Sequence, residues 1–273
     1  MSRVTASGGN VIRINMLGHL EFIGNGRDLA PTAPRVKSVL ALLALNANRV
    51  VSTDTLSEEL WEDRPPRSAA TTLQTYVYHI RRTLGGVSSE GVYGCDIVTR
   101  SPGYMLRITD GRVDAETFHE MAAEGRRMWR EDRVDEAADR LRQALALWRG
   151  PALADVRAGS PLTIHAARLS EVRMRTLQLR IQADARLGRH HELIPELRSL
   201  VAEHLLNEWL HAQLIDALRA AGRRAEALQA YQDLRRVLQT ELGLEPTPEV
   251  QRLQTEVLGG GRTGGAPRLL RAI

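Results

Sequence analysis

Cysteine, lysine, aromatic residues and long apolar runs are all scarce in this chain of 273 residues. The single cysteine, Cys95, excludes an internal disulfide and a cluster of metal-binding thiolates. Because no run of about eighteen apolar residues occurs, no membrane-spanning helix is expected. The N-terminal stretch "MSRVTASGGN" lacks the apolar centre of a secretory signal. A cytoplasmic protein is therefore expected.

Motifs of enzymes are scarce as well. Lys37 is the only lysine and follows no glycine-rich loop, which excludes the phosphate-binding loop of nucleotide hydrolases. No Gly-x-Ser-x-Gly segment is present for a hydrolase nucleophile. The stretch "HELIP" begins like a zinc-protease helix at His191, but Pro195 stands where the second histidine would be. Cys95 has no histidine near it in the sequence and is expected to be an inert thiol. No catalytic residue, metal or other cofactor is predicted.

The charge of the chain is small but unevenly distributed. A formal net charge of +4 does not by itself indicate nucleic-acid binding. Residues 52–63 contain five acids and no base, whereas residues 64–112 contain seven arginines and three acids. An acidic segment followed by a basic one indicates a protein with one polarised face.

The N-terminal region begins with strands and a helix. Short apolar alternations around an Asn25-Gly26 turn in "VIRINMLGHLEFIGNGRDLA" predict small antiparallel strands. Pro34 then begins a mostly buried helix, "PRVKSVLALLALNANRV", which Asn46 and Asn48 bring to an end.

A second helix follows in "STDTLSEELW". Ser52 and Thr53 provide its N-terminal cap, and Leu56, Leu60 and Trp61 its inner face. The next stretch, "EDRPPRS", must be a loop because its two prolines break a helix.

The third helix is "SAATTLQTYVYHIRRTLGG", residues 68–86, and ends at Gly85 and Gly86. It has an apolar seam formed by Leu73, Val77, Ile80 and Leu84. Its opposite side is polar, and the helix contains no acid at all.

Two strands close this region. After a loose segment, "DIVTRSPGYMLRI" predicts a hairpin with Pro102 and Gly103 in the central positions of its turn. Strands, three helices and a hairpin are the layout of a winged helix-turn-helix domain preceded by an extra small β-sheet. We expect this domain to span residues 11–110.

The remainder, from Val113 to about Leu258, is predicted to be helical and to contain a repeat. Residues 187–201 align with residues 221–235 at a shift of 34, which places Gly188 on Gly222. An earlier copy, "DRVDEAADRLRQAL", occupies residues 132–145, with an insertion of about 22 residues after it. A helix-turn-helix period of 34 residues is typical of tetratricopeptide repeats, although chance similarity between helical hairpins is the alternative. We expect an all-α, tetratricopeptide-like domain over residues 111–258 and a flexible, glycine-rich tail over residues 259–273.

The third helix is the candidate DNA-binding element. If its seam docks on the first two helices, Thr72, Thr75, Tyr76 and His79 project outward, where their side chains can contact base edges in a major groove. The expected phosphate contacts are Arg67, Arg81 and Arg82. The expected contacts of the hairpin wing are Arg100 and Tyr104. The alternative to DNA binding is that the third helix is an ordinary amphipathic helix with a solvated polar face.

The order of the segments "RVKSVLALLALNANRVVSTDTLSEELW", "ATTLQTYVYHIRRTLG" and "SPGYML" resembles the winged-helix effector domain of two-component response regulators. Together with "LGLEPTPEVQRLQ" near the end, the chain resembles the Streptomyces antibiotic regulatory proteins (SARP) from about residue 11 to residue 258. The resemblance implies an activator of secondary-metabolite gene clusters whose helical half is a bacterial transcriptional activation domain.

The resemblance also carries site residues. It assigns Thr71, Thr72, Thr75, Tyr76 and His79 to the groove-facing part of the recognition helix. His79 stands where response regulators often have arginine, so the base preference can differ. The family implies a homodimer on direct repeats of double-stranded DNA about one helical turn apart. It also implies contact between the loop "EDRPPRS" and RNA polymerase holoenzyme, and no membrane partner.

Two other functions stay open at this point. The first is a tetratricopeptide adaptor that binds a protein partner in its concave groove, with the N-terminal domain as a docking platform. The second is a ligand-responsive regulator in which Trp129, Trp148 and Trp209 line a small-molecule pocket. Large aromatic residues on helices are, however, more often part of a core.

Overall fold

The computed structural model describes residues 12–24, 26–84, 94–109 and 111–259. These residues form two compact units. The first contains the described residues up to 124 together with 140–176, and the second contains residues 125–139 and those from 177 onward. Among the described residues, no helix has both the length and the apolar character needed to cross a bilayer.

The predicted fold class is confirmed: the chain is mainly helical, with an N-terminal winged helix-turn-helix followed by a helical region. The strands are β1 (Ile12–Asn15), β2 (Glu21–Gly24), β3 (Arg27–Asp28), β4 (Val51–Ser52), β5 (Cys95–Arg100), β6 (Gly103–Ile108) and β7 (Gly111–Val113). The helices are α1 (Pro34–Leu45), α2 (Thr53–Trp61), α3 (Ala69–Leu84), α4 (Asp114–Arg130), α5 (Val134–Leu145), α6 (Ser160–Arg186), α7 (His190–Glu203), α8 (Glu208–Ala220), α9 (Arg224–Leu242) and α10 (Pro248–Leu258).

The first sheet has four strands in the order β3-β2-β1-β7. β1 and β2 pair antiparallel with Ile14 opposite Phe22, which confirms the predicted strands. Gly26 has the positive φ of a turn residue (+72°), whereas Asn25 lies outside the described residues. β7 was not predicted. Its three residues pair parallel with β1, so the chain returns to the first sheet before the C-terminal helices α4 to α10 begin at Asp114.

The first two helices begin and end as the sequence predicts. Pro34 is the first residue of α1, where the missing N–H of proline costs nothing, and Asn46 is its C-cap. Ser52 caps α2: its Oγ accepts a hydrogen bond from the backbone N–H of Thr55 at 3.0 Å. α3 begins at Ala69 and is described up to Leu84. The predicted stop at residues 85–86 falls outside the described residues, as does the tail beyond residue 259.

The β5–β6 hairpin forms the predicted wing, but its turn lies one residue earlier than predicted. Arg100 pairs with Gly103, so Ser101 and Pro102, joined by a cis peptide, occupy the central positions. Glycine is required at position 103 by a close approach of two strands and not by the turn. A Cβ atom there would lie 1.9 Å from the carbonyl oxygen of Val51, because β6 also pairs with β4. The wing belongs to a three-stranded sheet of order β4-β6-β5.

Buried carboxylates join distant parts of the first unit. Asp114, at the start of α4, accepts hydrogen bonds from the backbone N–H groups of Met16 (2.8 Å) and Leu17 (3.0 Å). Glu59, on α2, accepts them from Gly159 (2.6 Å) and Leu162 (2.9 Å) and thereby caps α6.

A third carboxylate, Asp155, is exposed but also makes a long-range connection. It accepts from the backbone N–H of Leu20 at 2.7 Å and pairs with the ammonium group of Lys37. Residues beyond 110 are therefore bonded directly to the winged helix. Their apolar side chains belong to the same hydrophobic cluster as the seam of α3, among them Phe118, Trp148, Leu162 and Leu169.

The second unit repeats one turn three times. Asp132, Gly188 and Gly222, the positions that the sequence alignment superimposes, have φ values of +63°, +76° and +74°. In each turn, the next residue donates its backbone N–H to a carbonyl five residues earlier. The pairs are Arg133 to Met128 (3.0 Å), Arg189 to Asp184 (3.0 Å) and Arg223 to Leu218 (2.8 Å). This is the Schellman closure of a helix, and its recurrence shows that the sequence repeat is also a structural one.

Candidate nucleic-acid interface

The apolar seam of α3 is buried as the sequence predicts. Leu73, Val77, Ile80 and Leu84 are each at most 3% exposed. α3 packs on α1, α2 and β5, so its inner face is fixed on three sides. The opposite face is consequently held in one orientation toward solvent.

That outward face carries more residues than the sequence reading named. The exposed residues of α3 include Thr71, Gln74, Thr75, Tyr78, His79, Arg82 and Thr83. Of these, Thr71, Gln74, Thr75, Tyr78 and Arg82 recur at helical spacing and form one stripe along the helix. Tyr78 is 59% exposed, and its ring meets that of His79 edge-on at 5.8 Å. No residue of α3 is acidic.

Gln74 and Tyr78 were missed by the sequence reading. Both lie on the exposed side of the helix, and steps of three and then four residues from Thr71 lead to Gln74 and then to Tyr78. Glutamine carries a donor and an acceptor on one side chain and can bond both groups on the major-groove edge of adenine.

Two predicted groove residues lie closer to the core. Thr72 and Tyr76 are half-buried, and Tyr76 packs against the hydrophobic cluster below α3. The hydroxyl of Thr75 donates to the carbonyl oxygen of Thr71 at 3.0 Å, which leaves its methyl group and oxygen lone pairs for a ligand. Of the five residues assigned to the groove, Thr71, Thr75 and His79 are exposed.

Arg81 and Arg82 are adjacent but have different surroundings. Arg81 Nε donates to the carbonyl oxygen of Ile97 at 2.9 Å, and Nη2 donates to Thr99 Oγ1 at 2.8 Å. Its guanidinium also lies 6.0 Å from the ring centre of Tyr104. Arg82 is exposed and makes no hydrogen bond or ion pair within the described residues. Arg81 therefore links α3 to the wing, and Arg82 is the one free for a phosphate.

The remaining predicted contacts lie at the two ends of the surface. Arg67, just before α3, and Arg100, at the tip of β5, are both exposed. Tyr104 is 8% exposed and belongs to the hydrophobic cluster, so its ring supports Arg81 from below. Arg67, Arg82 and Arg100 are thus the exposed guanidinium groups among the residues named from the sequence.

The groups considered for other chemistry are placed as structural residues. Burial, with a contribution from Asp96, raises the pKa of the Cys95 thiol to about 12, which keeps it protonated at neutral pH. Among the described residues, no group of three or more histidine, cysteine or carboxylate side chains is arranged to hold a metal ion.

The three tryptophans lie in three different clusters. Trp148 meets Phe118 edge-on at 5.5 Å in the core of the first unit. Trp129 packs on Val134 and Ala183 in the second unit, and Trp209 packs on the main cluster of that unit. The structure thus gives the tryptophans packing roles and brings no two of them together within one cluster.

Two known domain families match most of the chain. Residues 28–106 match the C-terminal domain of transcriptional regulatory proteins, and residues 113–258 match the bacterial transcriptional activator domain. The first match contains α3, β5 and the turn of the wing.

Whole proteins match over the same region. The chain is 43% identical to the regulatory protein DnrI of Streptomyces peucetius, over 90% of this chain and 92% of that protein. It is 35% identical to the regulatory protein AfsR of Streptomyces coelicolor, over 90% of this chain but 24% of AfsR. It is 33% identical to the transcriptional regulatory protein MoaR1 of Mycobacterium tuberculosis, over 93% of this chain and 82% of MoaR1.

A solved structure has the same fold. Mycobacterium tuberculosis EmbR, in complex with a low-affinity phosphopeptide, superposes with a TM-score of 0.82 at 31% identity. The similarity covers 92% of this chain and 66% of the EmbR chain.

Proposed function

The chain belongs to the Streptomyces antibiotic regulatory protein (SARP) family of transcriptional activators, and on that premise we propose that it binds short direct repeats of DNA upstream of its target promoters. Its targets are genes of a secondary-metabolite cluster. Two protomers bind side by side on the same face of the DNA, with their half-sites about one helical turn apart.

The observation that carries this proposal is the outward face of α3. A buried seam fixes the helix, and the exposed stripe is polar, aromatic and free of acids. A major groove admits one α-helix, and a carboxylate on that helix would be repelled by the phosphates. Gln74, Thr75 and His79 contact base edges, and Tyr78 lies beside them.

The phosphate contacts flank this stripe. Arg82, Arg67 and Arg100 have exposed guanidinium groups at the end of α3, before it and at the wing tip. Phosphate contacts fix the register of a protein on DNA, whereas base contacts specify the sequence. Arg81 positions the wing relative to α3 through its bonds to β5.

Activation requires a contact with RNA polymerase holoenzyme, which we assign to residues 62–68. All seven residues of this loop are exposed. The loop lies between α2 and α3, so a polymerase bound there would sit beside the DNA that α3 reads.

Selection of genomic fragments by the purified full-length protein tests this proposal. We expect the recovered fragments to share a direct repeat and their affinity to fall steeply with salt, because binding releases counterions from the phosphates. Fragments without a common motif, bound weakly at every salt concentration, would favour the tetratricopeptide adaptor instead.

The pair Arg81 and Arg82 provides a matched test. Arg82→Gln removes a phosphate contact, so the slope of log affinity against log salt should decrease by about 1 for all sequences. Arg81→Gln should leave that slope close to its original value and weaken discrimination at the bases next to the wing. An equal loss of slope in both variants would contradict the positioning role of Arg81.

Base contacts are tested by selection with single variants. His79→Ala and Gln74→Ala should each flatten the preference at one position of each half-site, with a loss of discrimination of about 1–3 kcal/mol. Thr83→Ala is the control, since Thr83 is exposed in the last turn of α3 and is not among the proposed base contacts. Retained preference at every position would refute the assignment of these two residues.

A further inference from the structure

Four leucines are exposed in the two segments that follow α7 and end α9 of the second unit. Leu205 and Leu206 follow α7, and Leu242 and Leu244 lie at the end of α9, with exposures between 47% and 56%. The rest of the apolar side chains in this unit largely form its core. We call these four residues and the carboxylates beside them the leucine surface.

The segment that carries Leu205 and Leu206 lies close to the last turn of α9, the helix that ends at Leu242. A concavity of about 840 Å³ is lined by residues 203–208 and by Glu241, so the segment after α7 faces the end of α9. The backbone N–H of Thr247 donates to Glu208 Oε2 at 2.7 Å, which fastens the segment after α9 to the start of α8. The apolar surface is therefore built by two loops that are fixed to one another.

Carboxylates predominate on this surface, and His204 is the one basic side chain among the residues that line the concavity. Glu203, Glu208 and Glu241 line the concavity, and no arginine or lysine is among its lining residues. Within the described part of the chain, Glu203 and Glu241 form no ion pair or hydrogen bond. Glu208, in contrast, is already used to hold Thr247.

This combination of charge and apolar area restricts what can bind there. DNA and anionic lipid surfaces would be repelled by the three carboxylates. A second copy of the chain presenting the same surface would bring like charges together, which disfavours a symmetric contact. An apolar segment that carries its own positive charges has neither problem.

We propose that the leucine surface binds a basic, amphipathic segment of another protein, with leucine-type side chains on the four leucines and arginine or lysine beside Glu203 and Glu241. A helix that presents apolar residues at every third or fourth position and basic residues on its flanks has this combination of properties. This inference does not depend on DNA binding, because none of the surface residues belongs to α3 or to the wing.

A designed peptide tests the inference on the full-length protein. The probe is a fluorescent helical 14-mer with leucines on one face and arginines on both flanks, and binding is followed by fluorescence anisotropy. A second peptide has every arginine replaced by glutamate, and a third has every leucine replaced by serine. We expect only the first peptide to bind, with an affinity that falls as salt is added.

Variants of the chain locate the binding site. Leu206→Ser should weaken binding of the first peptide about tenfold, as expected for the loss of a buried apolar anchor. The double change Glu203→Gln and Glu241→Gln should weaken it several-fold and reduce its salt dependence. The matched controls Leu187→Ser and Glu256→Gln change an exposed leucine and an exposed glutamate of the same unit outside this surface, and both should bind normally.

The outcomes separate this inference from the proposed function. All variants should keep the affinity of the protein for its DNA repeats and its melting temperature. No binding of the first peptide, equal binding of the glutamate peptide, or equal effects of Leu187→Ser and Leu206→Ser would each overturn the inference. Failure of the unaltered protein to bind DNA repeats would instead contradict the proposed function, without bearing on peptide binding at the leucine surface.

Discussion

The polar contacts within the first unit differ in kind from those within the second. In the first unit, the buried carboxylates of Asp114 and Glu59 accept backbone N–H groups that are 98 and 100 residues away, and the exposed Asp155 accepts one that is 135 residues away. In the second unit, exposed arginine–glutamate pairs close two of the three repeat turns locally, Arg133 with Glu136 and Arg223 with Glu226. At the turn of Gly188, Arg189 pairs instead with Asp135 and with the buried Asp184. The first unit thus depends on hydrogen bonds between residues that are distant in the sequence, and the second on a helix-ending turn that occurs three times.

This difference has a thermodynamic consequence. Removal of one partner of a buried, long-range bond leaves an unsatisfied group that has no other partner nearby. Removal of an exposed pair returns both groups to water, at little cost. A stack of repeats also gains stability approximately as a sum over neighbours, so that loss at one turn stays local.

The largest expected effect comes from dividing the chain at the predicted domain boundary. A fragment of residues 11–110 loses the carboxylates of Asp114 and Asp155 and the apolar groups of Phe118 and Leu162. We expect it to show no cooperative thermal unfolding. A fragment of residues 177–258, which keeps α7 to α10 and their own core, should remain helical by circular dichroism. A cooperative transition in the first fragment would show that residues 11–110 fold as an independent domain.

The next largest effect is expected at single carboxylates. Asp114→Ala leaves two buried N–H groups without an acceptor and should reduce the free energy of unfolding by about 3 kcal/mol. The matched change in the second unit is Glu136→Ala, which removes an exposed partner of Arg133 and should leave stability almost unchanged. Urea denaturation of both variants measures the difference. Equal losses would remove the distinction between the units.

Glycines sharpen the comparison at a smaller scale. Gly103→Ala places a Cβ atom against the backbone of β4 and should cost about 2–3 kcal/mol by overpacking. Gly188→Ala meets no atom within 4 Å and should cost about 1 kcal/mol through its left-handed backbone alone. Gly188→Asn should be milder than Gly188→Ala, since asparagine tolerates this conformation, whereas Gly103→Asn should be at least as harmful as Gly103→Ala. A reversal of either order, measured by thermal denaturation, would contradict these causes.

The smallest expected effect is an opposite pH dependence of two glutamates. Burial raises the pKa of Glu59, so the folded chain retains this proton above the ordinary pKa of 4.5, where the unfolded chain has lost it. The stability of the natural chain relative to Glu59→Gln should therefore decrease as the pH rises from 4.5 through the raised pKa.

The contribution of Glu226 to stability should have the opposite pH dependence. The hydrogen bond from Arg223 lowers its pKa below 4.5, so its contribution is present above this pH and is lost as the pH falls through the lowered pKa. The stability relative to Glu226→Gln should decrease on acidification. Urea denaturation over a pH series gives both curves, and curves of the same sign would contradict the assignment.

Local patterns in the sequence predicted much of the fold. Apolar spacing identified the four seam residues of α3, proline and serine marked the starts of α1 and α2, and the alignment of Gly188 with Gly222 identified turns of equal geometry. Each of these features depends on residues that are close together in the chain. For the same reason, the polar and acid-free face of α3 was visible from the sequence.

What the sequence did not predict depends on distant partners. Glu59 stands among other acids of α2 and is distinguished only by residues 159 and 162, which are far away in the chain. Arg81 and Arg82 are the same residue type at adjacent positions, and their surroundings differ because β5 lies beside Arg81. Gly103 looked like a turn residue because the approach of β4 to β6 could not be seen.

The segment of residues 125–139 belongs to the second unit although it lies between two segments of the first. A single recombination between genes of two relatives therefore cannot exchange one intact unit for another, since any one crossover point leaves at least one unit of mixed origin. Exchange of the second unit as a whole would need replacement of both residues 125–139 and the region after 176. Hybrid regulators made by joining one relative's DNA-reading half to another's helical half at residue 110 should, by this reasoning, fold poorly unless the two parents share the residues that the buried carboxylates join.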